Sequence, residues 1–195
     1  MSLENIADNK ILLFAIFIVT GLLYIPLNQR ESRHYWESKI DSKIPLMPFF
    51  IIPYIYLFFP YLIIGPILLW NSPIAVNFLK SFIAANIIAY IVWNFFPNGV
   101  KRPKIKVDGF WKKMVSDLYK VDKHDTNGFP SSHVYYSSII SWYLIMAFPH
   151  FLPLFLIIGL FIIASTLLTK QHYVIDVIGG LALAVFSISI IGFIS

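Results

Sequence analysis

Long apolar runs of about 20 residues recur along almost the whole chain, and they constrain its fold more than any other feature. A helix of that length crosses the hydrocarbon core of a bilayer. The runs do not alternate apolar and polar residues as the strands of a membrane barrel do. At 58% hydrophobic and 13% charged residues, the chain also lacks the polar surface of a soluble domain. The sequence therefore predicts an all-α, polytopic integral membrane protein with a single domain over residues 1–195.

The apolar runs predict a bundle of six transmembrane helices. The spans are predicted at about residues 11 to 27, 44 to 70, 73 to 96, 133 to 149, 151 to 169 and 173 to 194. The second run contains five prolines, so we expect either one bent span or two half-spans. The leader, residues 1–10, carries Glu4 and Asp8 against one lysine, and we expect the first span to stay as an anchor rather than act as a cleaved signal.

Two polar segments, residues 28–43 and 97–132, interrupt the apolar runs. With six spans, both segments and the turn at 170–172 lie on the same side of the membrane. That side holds 13 of the 15 lysines and arginines, so the positive-inside rule predicts that it faces the cytoplasm and that both termini face out. Residues 110, 111, 114, 115 and 118 share one apolar helical face, which predicts an amphipathic helix at the interface.

Charge and cysteine content narrow the possible partners and chemistry. The net charge is +5, but the basic residues flank the membrane spans, so the predicted partners are the bilayer and a phosphate-bearing lipid rather than nucleic acid. The chain has no cysteine, which excludes thiolate metal ligands and a cysteine nucleophile. Histidine, serine and carboxylate side chains remain for catalysis.

Two polar clusters stand at the starts of the fourth and sixth predicted spans, at residues 129–133 and 171–176. His172 and Asp176 are four residues apart and share one helix face. The topology brings His133 to the same membrane side, so two imidazoles and a carboxylate converge there. One imidazole can attack phosphorus, the carboxylate can orient it, and the second imidazole can protonate the leaving oxygen. The same trio is also a possible metal-binding facial triad.

These residues resemble a known family. The three stretches concerned are Arg102-Pro103, Pro130-Ser131-Ser132-His133, and Ser165 followed by His172 seven residues later and Asp176 four beyond that. They are similar to the three signature motifs of type 2 phosphatidic acid phosphatases. That family is the membrane branch of the superfamily that also holds vanadium haloperoxidases. The resemblance implies a six-helix bundle of this type and a phosphohistidine intermediate.

The resemblance also implies a role for each matching residue. His172 would be the nucleophile, Asp176 its orienting partner and His133 the general acid for the leaving alcohol. No metal or cofactor is implied. Phosphate-binding positions would be Arg102, Ser131, Ser132, Lys101 and Ser165. For some of these a simpler role stays open, because Ser131 also suits a helix N-cap and Arg102 a solvated loop end.

Three positions depart from the family pattern. The lysine expected seven residues before Arg102 is Phe95, the arginine expected after Ser165 is Thr166, and the glycine expected before His133 is Ser132. Together with the run from Tyr119 to Pro130, these changes resemble the divergent branch related to inositol phosphorylceramide and sphingomyelin synthases. Replacements for the two missing cations are hypothesised among Lys101, Lys104 and Lys170.

Three functions follow as hypotheses. The first is a lipid phosphatase that hydrolyses a phosphomonoester or pyrophosphate of the phosphatidic acid, phosphatidylglycerol phosphate or polyprenyl phosphate class. The second is a lipid phosphotransferase that moves a phospho-head group to an alcohol. The third is a transporter or structural membrane protein, which the motif spacing disfavours. The active site is predicted on the cytoplasmic face.

Overall fold

The computed structural model describes residues 8–122 and 126–194, so the leader residue Glu4 and the loop residue Lys123 lie outside the described residues. In the described part the chain forms seven α-helices. They are α1 Lys10–Leu22, α2 Phe58–Leu69, α3 Ala75–Phe95, α4 Phe110–Val121, α5 Ser132–Ala147, α6 Leu152–Leu168 and α7 Val174–Ile194. A further helical turn, Tyr24–Leu27, continues α1.

Six of these helices follow the predicted spans, which confirms the all-α layout. Five helical segments in the described part are long and apolar enough to cross a membrane: Lys10–Leu27, Pro48–Leu69, Ala75–Phe95, Pro149–Leu168 and Val174–Ile194. The fourth predicted span is the sixteen-residue α5, which at 1.5 Å per residue is about 24 Å long. It ends at Ala147 because Phe148 leaves helical geometry, as expected for a residue that precedes proline.

The proline-rich second run forms one irregular span. A short 3₁₀ turn at Pro48–Phe50 is followed by a π-helical stretch at Ile52–Leu57, which continues into α2. The predicted break in helical regularity is therefore confirmed, but the run is not divided into two half-spans. The π-helical stretch carries Tyr54 inward, where the side chain is 6% exposed.

The centre of the bundle is α5, which packs against α2, α3, α6 and α7. Tyrosines on α5 join a buried polar cluster around Asn86 of α3. The Asn86 side-chain oxygen accepts hydrogen bonds from the Tyr135 and Tyr136 hydroxyls at 3.0 and 2.8 Å, and its nitrogen donates to Thr20 at 3.0 Å. Within apolar surroundings such bonds tie α1, α3 and α5 together.

The predicted amphipathic helix in the long polar segment is α4. Its apolar face packs inward at Val115, which is fully buried, while Phe110 and Trp111 at its start are exposed. Near its end, the Tyr119 hydroxyl donates to the Thr169 carbonyl at 2.7 Å, just beyond α6. The C-terminal end of α4 therefore lies against the turn that precedes α7.

Candidate active site

The first polar cluster forms the N-terminus of α5. Ser131 has the extended backbone typical of an N-cap, yet its hydroxyl makes no capping hydrogen bond and is buried without a partner in the described part of the protein. Ser132 and His133 occupy the first helical turn, where free backbone N–H groups and the helix dipole favour an anion. The Ser131 hydroxyl therefore remains available to a bound oxygen.

The second cluster spans the turn before α7 and its first residues. The Asp176 carboxylate is fully buried, and its Oδ2 accepts from the Tyr173 N–H at 2.8 Å. The same oxygen lies 3.5 Å from Nδ1 of His172, which is within ion-pairing range but longer than a hydrogen bond. Such contacts in unliganded sites often tighten when substrate binds. His172 lies in the turn before α7, so the two side chains approach each other across the start of the helix rather than along one helical face.

The two clusters lie directly against each other. The Ser131 N–H donates to the Asp176 carbonyl at 3.1 Å, and the rings of His133 and His172 are 6.2 Å apart between centroids. Gly180 permits this approach, because a Cβ there would lie 2.8 Å from Val134 and 2.9 Å from the Ser131 carbonyl oxygen. The first turn of α5 and the start of α7 are therefore in direct contact at the two histidines.

Two aromatic rings from the second span hold His133. Tyr54 stacks on its imidazole at 4.3 Å and Phe58 at 3.9 Å between ring centroids. Both ring nitrogens of His133 are buried without a hydrogen-bond partner among the described residues. Stacking fixes the ring plane while leaving the nitrogens for a ligand. The sequence offered no specific signal for either contact, because aromatic residues are common throughout the spans.

Two cavities of different character reach the histidines. A cavity of about 860 Å³ between α1 and the second span is almost wholly apolar, and its wall includes Ser132 and His133. A cavity of about 190 Å³ on the loop side is lined by His172 and by charged groups. These charged groups are Glu37, Asp41, Lys101, Arg102 and Lys170. His133 therefore faces an apolar space and His172 a polar one.

The predicted phosphate cations Arg102 and Lys101 both line the polar cavity. The backbone N–H of Lys101 donates to the Tyr173 hydroxyl at 2.9 Å, next to His172. Arg102 pairs with Asp122 at 2.7 Å. Ser165 is placed differently, because its buried hydroxyl donates to the Ile162 carbonyl within α6. Among the described residues that line the two cavities, Ser165 is not included.

No cation stands at the two positions where the family pattern expects one. Phe95 is 69% exposed at the end of α3, and the Thr166 hydroxyl donates to the Ile163 carbonyl at 2.7 Å. Lys170 lines the polar cavity, but its ammonium donates to the carbonyls of Asp41 and Ile44. Burial lowers the pKa of Lys170 below its ordinary value, and nearby carboxylates oppose that shift. Lys104 is exposed in the loop.

Asp41 in the first polar segment is a site residue that sequence reasoning missed. Its Oδ1 accepts from the Val174 N–H at 2.7 Å at the start of α7, and its Oδ2 accepts from Ser38. It therefore acts as an N-cap supplied from a distant part of the chain. No local sequence pattern reveals a cap 133 residues away.

The metal-triad alternative can be compared with the geometry. Within residues 8–122 and 126–194, no group of three His, Asp or Glu side chains is placed to hold a metal ion. His172 and Asp176 face each other as an orienting pair, and His133 is turned between two aromatic rings. The arrangement suits acid–base and nucleophilic roles.

A model of the PAP2 superfamily matches residues 39–190 of the chain. The matched region contains all the site residues predicted from sequence. No curated protein and no solved structure matches the chain.

Proposed function

Because the chain belongs to the PAP2 superfamily, we propose that it is a membrane enzyme that hydrolyses a lipid phosphomonoester or pyrophosphate through a phosphohistidine on His172. Family membership and five apolar helices indicate an integral membrane protein with phosphatase or phosphotransferase activity on lipids. The observation that carries the finer proposal is the convergence of His133, His172 and Asp176, with His133 on the wall of the apolar cavity and His172 on the wall of the polar one.

In the first step, Nε2 of His172 attacks phosphorus, because Nδ1 faces Asp176. A new nitrogen–phosphorus bond forms as the bond between phosphorus and the lipid oxygen breaks. His133 gives a proton to that oxygen, and the lipid alcohol leaves. Asp176 orients the imidazole and stabilises its developing positive charge, as carboxylates do in other histidine pairs.

In the second step, water attacks the phosphohistidine from the side that the alcohol left. His133, now neutral, takes the proton of the attacking water, and the nitrogen–phosphorus bond breaks to release phosphate. General acid and base catalysis by one group in successive steps accounts for the need for a second histidine.

The surrounding residues supply positioning for the phosphate and the lipid. The Ser131 and Ser132 groups at the N-terminus of α5, with Arg102 and Lys101 in the polar cavity, would bind the phosphate oxygens. The apolar cavity would hold the start of the lipid chain next to His133. This places the leaving oxygen near its proton donor.

One observation favours a second candidate, transfer of a phospho-head group to an alcohol. Glu37 and Asp41 line the cavity beside His172, and carboxylates repel a doubly charged phosphomonoester more strongly than a singly charged phosphodiester. Phe95 and Thr166 remove two further cations expected in that region. A phosphodiester carries less charge and fits such a mixed lining better. The same two steps apply, with an alcohol instead of water.

The test is to incubate the purified protein with phospholipids, polyprenyl phosphates and sphingolipids, and to score free phosphate and transferred product together. We expect His172→Ala to abolish both products. His150→Ala is the matched control, because His150 is exposed in the turn between α5 and α6. That variant should keep full activity.

Acid-labile, base-stable labelling by a radioactive phosphate substrate provides a direct measure of the intermediate. Label is expected on the native protein and absent from His172→Ala. Full turnover by a folded His172→Ala variant would overturn the mechanism. Activity that survives a chelator is expected as well, and its loss would instead support the metal triad.

A further inference from the structure

Arg102 is held by Asp122, a residue that has no part in the mechanism proposed above. Its guanidinium Nη2 donates to Oδ2 of Asp122 at 2.7 Å, and Nη1 donates to the Asp122 backbone carbonyl. The side chains of Arg102 and Asp122 are 12% and 24% exposed, so this ion pair is partly shielded from water. Removing one partner of such a pair leaves an uncompensated charge.

Asp122 is itself fixed from the other side. Its Oδ1 accepts from the Asn28 side chain at 2.8 Å, where the turn after α1 begins. Asp122 also directly follows α4, whose last turn stacks Tyr119 against the Arg102 guanidinium at 5.2 Å. The carboxylate is thus a fixed point to which the guanidinium is fastened.

The pairing leaves part of the guanidinium free. An arginine has five N–H donors in a planar fork, and Asp122 takes one from each terminal nitrogen. Nε of Arg102 is buried and has no hydrogen-bond partner among the described residues. Arg102 lines the same cavity as His172. The edge that includes Nε has the geometry to bind two phosphate oxygens.

We propose that Asp122 is a positioning residue for the reaction, which fixes Arg102 so that its free edge presents to the phosphate beside His172. The inference rests on the proposed function, because it takes Arg102 as a phosphate ligand. It makes the end of the amphipathic helix α4 part of the active site. The carboxylate is compatible with a neighbouring anion site, since Arg102 balances its charge and Asn28 donates a hydrogen bond to it.

Asp122 could instead compete with the substrate for Arg102, and this role predicts the opposite change in substrate binding when the carboxylate is removed. If Asp122 merely occupied Arg102 in the absence of substrate, phosphate would have to displace it, and removing the carboxylate would tighten substrate binding. If Asp122 positions Arg102, removing the carboxylate loosens the arginine and weakens substrate binding. The Michaelis constant therefore distinguishes the two roles.

The experiment compares Asp122→Asn with the full-length native protein in detergent, on whichever lipid phosphate the panel identifies. The expected result is a KM raised about 10-fold or more with kcat changed much less, and a matching rise in the inhibition constant of inorganic phosphate. Asp122→Glu is expected to recover part of the loss. Asp117→Asn is the matched control on α4, because Asp117 pairs with Lys113 and Lys120 on the exposed surface, and its KM should not change.

A double variant tests whether Asp122 acts through Arg102. In an Arg102→Ala background, Asp122→Asn should add no further rise in KM, since coupled residues are not additive. An unchanged or lower KM in Asp122→Asn, or a loss confined to kcat, would overturn the inference while leaving the histidine mechanism intact. Wild-type KM in Arg102→Ala would overturn it too, whereas full activity in His172→Ala would remove the proposed function instead.

Discussion

His133 is the residue whose surroundings say most about the chemistry. Its ring lies between Tyr54 and Phe58, and it borders the apolar cavity where the lipid alcohol would leave. An imidazole held in this way can donate a proton and take one back without changing its orientation. The rate contribution of a general acid depends on how basic the leaving oxygen is, since a weakly basic oxygen leaves without a proton.

Replacing His133 with glutamine should therefore affect substrates unequally. Without His133 the lipid oxygen of a lipid phosphate would have to leave as an alkoxide, so we expect its turnover to fall about 10²–10⁴-fold, the usual contribution of a positioned acid or base. A soluble aryl phosphate needs no proton to leave, so it should still give a burst of phenolate, one per enzyme, followed by slow turnover. Stopped-flow absorbance measures the burst.

The absence of that burst in a folded His133→Gln variant would contradict the general-acid role. A melting temperature close to that of the native protein is the control for folding. Full turnover of the lipid phosphate by the same variant would remove His133 from the mechanism altogether.

Phe95 and Thr166 mark the limit of residue-by-residue transfer from the family pattern. Their positions predict cations, but Phe95 faces outward at a helix end and Thr166 bonds within α6. The cations present at the site instead come from the loop at Lys101 and Arg102. The family pattern therefore identified the loss of two charges, and it also named Lys101 and Arg102, which the structure places on the wall of the polar cavity.

At the level of helices, the close packing of α5 and α7 sets the geometry of the site. Gly180 of α7 touches the N-terminus of α5, where a side chain would meet both Val134 and the Ser131 carbonyl. Because Ser131 also bonds to the Asp176 backbone, any displacement here changes the distance between the histidines.

Gly180→Ala is expected to lower kcat about 10- to 100-fold, although it removes no chemical group, because small misplacements of catalytic groups have effects of this size. Overpacking should also reduce the free energy of unfolding by about 1–3 kcal/mol. Both are measured by steady-state kinetics and thermal unfolding in detergent. Gly192→Ala on the same helix is the control, since a Cβ there meets nothing within 4 Å.

An unaffected kcat in Gly180→Ala would mean that α5 and α7 can separate without disturbing the reaction. The site would then be less dependent on helix packing than its geometry indicates. Loss of activity in Gly192→Ala would point instead to a general effect on α7.

For the whole molecule, the distribution of charge predicts the orientation in the membrane. The side that carries the histidine site also carries 13 of the 15 basic residues, so it is predicted to face the cytoplasm. The chain contains no cysteine, which makes single-cysteine labelling a direct test.

Lys104 is exposed in the long loop on the side of the histidine site, and Asn71 is exposed in the turn between α2 and α3 on the other side. Each is replaced singly by cysteine. In intact cells, a membrane-impermeant maleimide should label Asn71→Cys and spare Lys104→Cys. Inside-out vesicles should give the reverse. Labelling of Lys104→Cys in intact cells would overturn the predicted orientation.

Much of the molecule follows from the sequence alone. Apolar runs determine the helices because an unpaired backbone is too costly in lipid. The short separation of His172 and Asp176 keeps them neighbours, although His172 lies in the turn before α7 and not on the helix face that the spacing predicted. Even the irregular second span was predictable from its prolines, since proline cannot donate a backbone hydrogen bond.

Only the tertiary structure decided the contacts between distant parts of the chain. The contacts of Tyr54 and Phe58 with His133 and of Asp41 with the start of α7 join distant segments. The contact of Asp122 with Arg102 closes a 20-residue stretch of the long polar segment. The partition into an apolar cavity at His133 and a polar one at His172 arises in the same way. Such contacts depend on how helices and loops pack, which leaves no periodic pattern in the sequence.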